Sequence, residues 1–107
     1  MQSNSAQDIG EATRALLSGI AERNGLHSSE VVSVFFSVTR DLTAMFPASA
    51  AREVGWDAPM LDMCEMDVTG ALARCLRVLV HVDRDGEVQH VYLRGARSLR
   101  PDLEERK

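Results

Sequence analysis

The sequence has few cysteines, and their spacing is not that of a metal site. Only Cys64 and Cys75 occur among the 107 residues, with no CxxC pair and no companion histidine spacing, so zinc is not expected. The sequence also shows no signal peptide, lipidation motif or transmembrane run. These absences predict a cytoplasmic protein with reduced thiols, no metal and no membrane partner.

Positive charge is also scarce. The formal net charge is -4 and the pI is near 5.3, which argues against nucleic acid as the main partner because phosphate binding needs a basic surface. There is no internal repeat and no low-complexity segment. The apolar content of 45% is ordinary for a globular protein. We therefore expect a single domain over residues 1–107, with residues 104–107 as a solvated tail.

Hydrophobic periodicity predicts one long helix near the N-terminus. Apolar residues recur at helical spacing over residues 9–20. Ser5 is a suitable N-cap, with Asp8 placed to favour the helix N-terminus. Asn24-Gly25 is a natural left-handed stop, so the helix is predicted to end there.

The remaining pattern predicts strands and one short helix. Residues 31–39 form the most strand-like run, and both of its faces are largely apolar, so we expect it to be covered on both sides. Pro47 suits the first position of a short helix that stops near Gly55. Further strands are predicted over residues 58–63 and 75–82.

The dipeptide 85–86, Asp-Gly, predicts a tight hairpin turn followed by a return strand over residues 87–93. A last short strand is expected near Ser98. If the hairpin loop has two residues, its register places the Tyr92 phenol and the Arg77 guanidinium on one face of the sheet, as in a small anion pocket. The side chains placed on that face are Arg77, Leu79, Tyr92 and Arg94.

Arg77 stands within a strand of apolar residues and must therefore meet an anion, either a protein carboxylate or one of a ligand. From the residues alone, an arginine paired with Glu65 or Asp67 is the more common case. By the same reasoning Tyr92 is an ordinary strand aromatic, and Arg52 is a solvated helix residue.

Several motifs follow one another at compatible spacing. They are Asp41-Leu42-Thr43-Ala44, Phe46-Pro47-Ala48 with Arg52, Glu65-Met66-Asp67-Val68-Thr69-Gly70, Arg77, His90-Val91-Tyr92-Leu93 and Leu99-Arg100-Pro101-Asp102-Leu103. With these motifs the chain resembles the monofunctional, trimeric α/β class of chorismate mutase, over about residues 9–103.

The resemblance implies an α+β fold: a mixed β-sheet with one long and one short helix packed on it. It implies a homotrimer, arranged as a pseudo-barrel, with active sites at the clefts between subunits. It also implies the rearrangement of chorismate to prephenate, a step of the shikimate pathway that commits carbon to phenylalanine and tyrosine. That pericyclic shift is unimolecular and needs no cofactor, only a compact substrate conformer and a cation beside the ether oxygen.

The resemblance also implies roles for individual residues. Arg77 is the cation at the ether oxygen and a substrate carboxylate, and Tyr92 contacts a carboxylate. Glu65 and Asp62 meet the ring and its hydroxyl. The other predicted substrate contacts include Phe46, which packs on the substrate, and two arginines, which contribute charge. The full set of these contacts is Phe46, Ala48, Arg52, Leu61, Met63, Cys64, Leu99 and Arg100.

The chain departs from this family in two respects. The position of Asp62 is typically small in the family, so its carboxylate needs a proton or an arginine partner beside a dianionic substrate. The family also begins with a strand, Arg-Gly-x-Arg-Gly-Ala-Thr, that is missing here. Its absence would unpair a neighbouring strand and cost about 10²–10³-fold in rate. We therefore expect that the true start lies upstream of Met1.

Two other functions remain open from the sequence. A non-catalytic relative that binds chorismate or prephenate is suggested by the missing strand. A trimeric protein resembling the enamine deaminases would instead centre its site on an arginine that binds a carboxylate beside a positioned water. The Glu-Met-Asp-Val-Thr-Gly run at residues 65–70 is evidence against this second alternative.

Overall fold

The computed structural model describes residues 3–94 and Ala96. The predicted α+β class is confirmed. The elements are α1 (Ala6–Asn24), a 3₁₀ turn (Ser28–Glu30), β1 (Val31–Val38), α2 (Pro47–Glu53), β2 (Met60–Cys64) and β3 (Leu76–Val82). The strand expected near Ser98 lies outside the described residues. In the described part of the chain, no helix has the length and apolarity to cross a bilayer.

Helix α1 begins and ends where its local signals predict. The Ser5 hydroxyl accepts the N–H of Asp8 at 3.1 Å, which satisfies one of the unpaired N–H groups of the first turn. At the other end Gly25 adopts a left-handed φ of 54°, a conformation that costs glycine little. The end points of α1 are thus decided by residues next to it in the chain.

The three strands form a mixed sheet in the order β2-β1-β3. Strand β1 lies in the centre, parallel to β2 and antiparallel to β3. On the inner face Phe36 stands opposite Asp62 on one side and Val78 on the other. The most apolar strand of the sequence is therefore the one that pairs along both of its edges.

The core lies between one face of this sheet and the two helices. Val34 and Phe36 are fully buried, and they pack against Leu17 of α1 and against Ala48 and Ala51 of α2. Full burial of each such large side chain contributes about 1.5–3 kcal/mol to stability. This packing sets how the helices lie on the sheet.

The other face of the sheet is not covered by the described chain, so the cover expected on the second side of β1 stays a prediction. Because strand side chains alternate, this open face carries the residues opposite to Val34 and Phe36. Exposed fractions are 57% for Leu61, 44% for Met63 and 58% for Leu79. The open face comprises Ser33, Phe35, Ser37, Leu61, Met63, Arg77, Leu79 and His81.

The prediction of a return strand over residues 87–93 was wrong. These residues form no strand, and β3 pairs only with β1 in the described sheet. The physical reason is a competing partner: the backbone N–H and C=O of Gln89 bind the side-chain amide of Asn24 on α1. The predicted sheet face that Leu79 and Tyr92 would share as strand neighbours therefore does not form.

Candidate active site

A cleft of about 570 Å³ lies between α1, β3 and the segment that follows β3. Apolar side chains of α1, including Leu16 and Ile20, line the cleft, as do residues of β3. Arg77 and Tyr92 are both among its lining residues, although the predicted hairpin does not form and the Arg77 side chain belongs to the open face of the sheet. An apolar cleft with a few polar groups suits a small ligand with an apolar body and anionic groups.

Arg77 reaches a protein carboxylate, as its place in a strand required. Its Nε lies 3.4 Å from Oε2 of Glu65, and 54% of the Arg77 side chain is exposed. Within the described chain, Glu65 is its one ion-pair partner. A guanidinium has several N–H donors, so Arg77 can hold Glu65 through Nε and still meet a second anion.

Glu65 is held in turn by Ser37. The Ser37 hydroxyl donates to Oε2 of Glu65 at 2.8 Å, and the Glu65 backbone N–H donates to the carbonyl of Val38 at 2.7 Å. Sequence reasoning missed Ser37. The signal appears only once the strands are paired, because Ser37 stands directly opposite Arg77 in the β1–β3 register.

Asp62 has a partner that the sequence did not indicate. Its Oδ1 accepts the backbone N–H of Ala48 at 3.1 Å. Phe46, the N-cap of α2, offers no side-chain hydrogen bond, so the Asp62 carboxylate supplies the acceptor that the first turn needs. We expected a proton or an arginine beside Asp62, but the observed partner is a helix N–H group.

The start of β3, and with it Arg77, is positioned by the loop after β1. The Asp41 carboxylate accepts the N–H of Arg74 through both oxygens, and the Thr39 hydroxyl accepts the N–H of Cys75 at 3.0 Å. The Thr39 hydroxyl bond and the Arg74 N–H lower the pKa of Asp41. Asp41 therefore stays ionised and keeps Arg74 in its left-handed conformation, with φ 46°.

The other predicted substrate contacts lie away from this cleft. Phe46 is 69% exposed, Arg52 is exposed on α2, and neither lines the cleft. Ala48 is buried with 4% exposure, and Cys64 is exposed at the end of β2. Leu61 and Met63 belong to the open face. Leu99 and Arg100 lie outside the described residues.

Two further details complete the site. Asp67 pairs with Arg40 at 2.9 Å on the exposed surface, so it is not the partner of Arg77. Among the described residues, no group of three or more histidine, cysteine or acidic side chains could hold a metal ion. Besides the Tyr92 phenol, the described cleft lining includes four arginines. One of them, Arg77, pairs with the Glu65 carboxylate, which is not part of that lining.

Comparisons with known proteins point to one family. The model of the type I chorismate mutase family matches residues 1–103. Chorismate mutase AroH of Thermus thermophilus is 45% identical over 109 residues, covering 97% of this chain and 89% of the relative. Chorismate mutase AroH of Bacillus subtilis (strain 168) is 42% identical over 108 residues, covering 96% and 85%. A solved chorismate mutase from Clostridium thermocellum has a TM-score of 0.88 and 44% identity, covering 91% of this chain and 90% of that one.

Proposed function

The chain belongs to the type I chorismate mutase family, and we propose that it converts chorismate to prephenate with Arg77 as its electrostatic catalyst. The observation that carries this assignment is the placement of Arg77 and Tyr92 on one apolar-walled cleft. Glu65 orients the guanidinium from the side at 3.4 Å. The family match decides against the enamine-deaminase-like alternative.

The reaction is an isomerisation in which one C–O bond breaks while one C–C bond forms in a concerted shift of electrons. Negative charge grows on the ether oxygen as the C–O bond lengthens. A fixed guanidinium beside that oxygen stabilises the transition state more than the ground state. The cleft walls hold the substrate in its compact conformer, which removes an entropic part of the barrier. No nucleophile is required.

The other residues bind and orient the substrate. The Tyr92 hydroxyl donates to a substrate carboxylate. Oε2 of Glu65 contacts both Ser37 and Arg77. Oε1 is therefore the oxygen that accepts a hydrogen bond from the ring hydroxyl. Substrate-binding roles are proposed for the side chains that the family motifs indicate: Phe46, Ala48, Arg52, Leu61, Asp62, Met63, Cys64, Leu99 and Arg100.

We further propose a homotrimer whose subunits complete one another's sites. Two observations support it. The open face exposes Leu61, Met63 and Leu79, and contiguous exposed apolar surface of this kind marks an interaction site. Phe46 and Arg52 lie outside the cleft of their own subunit, so a neighbouring subunit is the source from which they can reach a substrate.

The experiment that tests the proposed function follows the loss of chorismate absorbance with the full chain. Replacing Arg77 by its neutral isostere citrulline is expected to lower kcat by about 10²–10³-fold, because it removes a charge aimed at the developing anion. Arg40→Gln is the matched control, since Arg40 also pairs with a carboxylate but on the exposed surface. Its rate should stay within about twofold.

Two outcomes would contradict the proposal. An unchanged rate with citrulline would exclude the electrostatic role of Arg77. A chain that binds prephenate yet never consumes chorismate would be a binding relative rather than an enzyme.

A further inference from the structure

The segment after β3 carries Tyr92 but forms no strand, so something other than a sheet must hold it in place. The side chain of Asn24, in the last turn of α1, binds both backbone groups of Gln89. Its Oδ1 accepts the Gln89 N–H at 2.7 Å, and its Nδ2 donates to the Gln89 carbonyl at 3.0 Å. The amide thus takes the place that a partner strand would occupy.

Asn24 is itself fixed in one orientation. Its Nδ2 also donates to the carbonyl of Ile20 at 2.9 Å, within the same helix. The nitrogen faces two carbonyls and the oxygen faces an N–H, so a flipped amide would lose all three hydrogen bonds. The anchor for Gln89 is therefore oriented before the segment binds.

A second contact lies further along α1, at Gly19. A Cβ built on Gly19 would stand 3.3 Å from Cγ1 of Val91, closer than ordinary van der Waals contact. Glycine is disfavoured inside a helix, yet here it lets the segment approach the helix backbone. Val91 directly precedes Tyr92.

The two contacts agree in spacing. Five helical residues, from Asn24 back to Gly19, rise by about 7.5 Å. Two residues of extended chain, from Gln89 to Val91, span about 6.6 Å. The segment therefore runs antiparallel to α1, with a contact at each end, before it reaches Tyr92.

We propose that Asn24 and Gly19 are positioning residues that hold the Tyr92 segment against α1 and so place the Tyr92 hydroxyl in the cleft beside Arg77. We call this set the segment anchor: Gly19, Asn24, Gln89 and Val91. The inference rests on the proposed function, because it takes Tyr92 as the residue that contacts a substrate carboxylate. It assigns to two residues of α1 a role in substrate binding that acts through the position of Tyr92.

The first test is a double-mutant cycle measured as kcat/KM for chorismate. Tyr92→Phe and Asn24→Ala should each lower kcat/KM by about tenfold, the effect of ordinary hydrogen bonds. Most of the loss should be a raised KM, since the carboxylate is present in the ground state too. The double variant should be no worse than Tyr92→Phe alone, because Asn24 acts through that hydroxyl.

Gly19 supplies an independent variant that should fold at least as well as the natural chain. Gly19→Ala favours the helix but pushes Val91 away, so it should raise Tm while lowering kcat/KM about threefold. In a Val91→Ala background the same change should have no effect on kcat/KM. Ser18→Ala, on the exposed side of α1, also favours the helix and should leave activity unchanged.

Hydrogen exchange of the Gln89 amide measures the anchor without reference to activity. It should accelerate at least tenfold in Asn24→Ala, which removes its acceptor. Unchanged exchange, or a double variant whose loss is the product of the two single losses, would overturn the anchor. An unaffected rate in Tyr92→Phe would instead overturn the proposed role of Tyr92, and accelerated Gln89 exchange would still support the physical anchor.

Discussion

At the residue scale, the site is a chain of three side chains rather than an isolated arginine. Ser37 donates to Oε2 of Glu65 at 2.8 Å, and the same oxygen lies 3.4 Å from Nε of Arg77. A carboxylate with two partners on one oxygen has little freedom to rotate. The guanidinium is therefore oriented by a residue that touches Glu65 and not the substrate.

Ser37→Ala should lower kcat/KM by about tenfold, because Glu65 loses the hydroxyl that orients it and Arg77 loses a fixed partner. Ser33→Ala is the matched control. Ser33 lies on the same strand and the same face, but its hydroxyl contacts His81 at 2.8 Å. Steady-state kinetics should show less than a twofold change for that control, and equal losses for both variants would contradict the specific role of Ser37.

Asp62 should matter for stability through its bond to α2. Asp62→Ala is expected to reduce the free energy of unfolding by about 0.5–2 kcal/mol, the usual effect of losing a helix cap. Asp62→Asn keeps an oxygen acceptor for the Ala48 N–H and should lose much less. Urea unfolding followed by circular dichroism measures both. Equal destabilisation by the two variants would show that capping is not the role of this side chain.

At the element scale, one ion pair ties together the end of α1, the start of β1 and the end of β3. The Arg84 guanidinium contacts both carboxylate oxygens of Glu30, at 2.7 Å and 2.8 Å, and donates to the carbonyl of Asn24 at 2.6 Å. Glu30 also accepts the N–H of His27 at 2.9 Å. Such two-pronged geometry is more specific than that of a single surface contact.

This pair predicts an acid-dependent loss of stability. The hydrogen bond from Arg84, and then that from the His27 N–H, lower the pKa of Glu30 from its ordinary 4.5 to about 2. A lowered folded-state pKa contributes stability that is present above the unfolded-state value and is lost as pH falls toward about 2. Unfolding at pH values between 2 and 6 should therefore show a stability decline that Glu30→Gln reduces.

Arg84→Gln provides the complementary measurement. The hydrogen bond from Arg84 is the largest cause of the lowered pKa of Glu30. Its removal should therefore make the acid-dependent decline in stability shallower, by about as much as Glu30→Gln does. A wild-type slope that neither variant changes would exclude the pair as its origin.

At the scale of the whole molecule, the described residues leave an apolar face of the sheet without a cover. Eight of the ten described residues of the predicted site lie outside the cleft. Leu79 is 58% exposed on the open face, next to Arg77 along β3. Phe46, at the start of α2, is 69% exposed. The proposed trimer would bury the first and bring the second to a neighbour's cleft.

The proposed shared site predicts complementation between inactive subunits. Arg77→Ala and Arg52→Ala should each be nearly inactive alone. After mixing and reassembly at equal amounts, about a quarter of the sites should unite an intact Arg77 with an intact Arg52 of the neighbour, if subunits combine at random. Chorismate consumption should then reappear. A site contained within one subunit would give no recovery, which would contradict the proposed assembly.

Leu79→Asp tests the interface itself. A charge on the open face should prevent association, because it would be buried without a partner. Val54→Asp is the control, since Val54 is also exposed, at 49%, but lies at the end of α2. Sedimentation equilibrium should show smaller species only for Leu79→Asp. A natural chain that sediments as a monomer would exclude the trimer.

The sequence by itself determined the local structure of this protein and its family. The ends of α1 follow from Ser5 and Gly25, and the start of α2 follows from Pro47, because capping and proline effects act within one helical turn. The apolar, β-branched run over residues 31–39 determined that a strand forms there. The ordered motifs around Glu65 and Arg77 were sufficient to indicate the chorismate mutase family, which the comparisons confirm.

Only the tertiary structure decided which partner each polar group takes. Asn24 and Gln89 are 65 residues apart, and their contact replaced a hairpin that the local turn signal favoured. Ser37 and Glu65 are 28 apart, and Asp62 and Ala48 are 14 apart. No periodicity encodes such pairs, because each depends on how strands and helices pack. The family motifs in the sequence therefore indicate which residues form the site, and the packing of strands and helices decides how those residues are arranged.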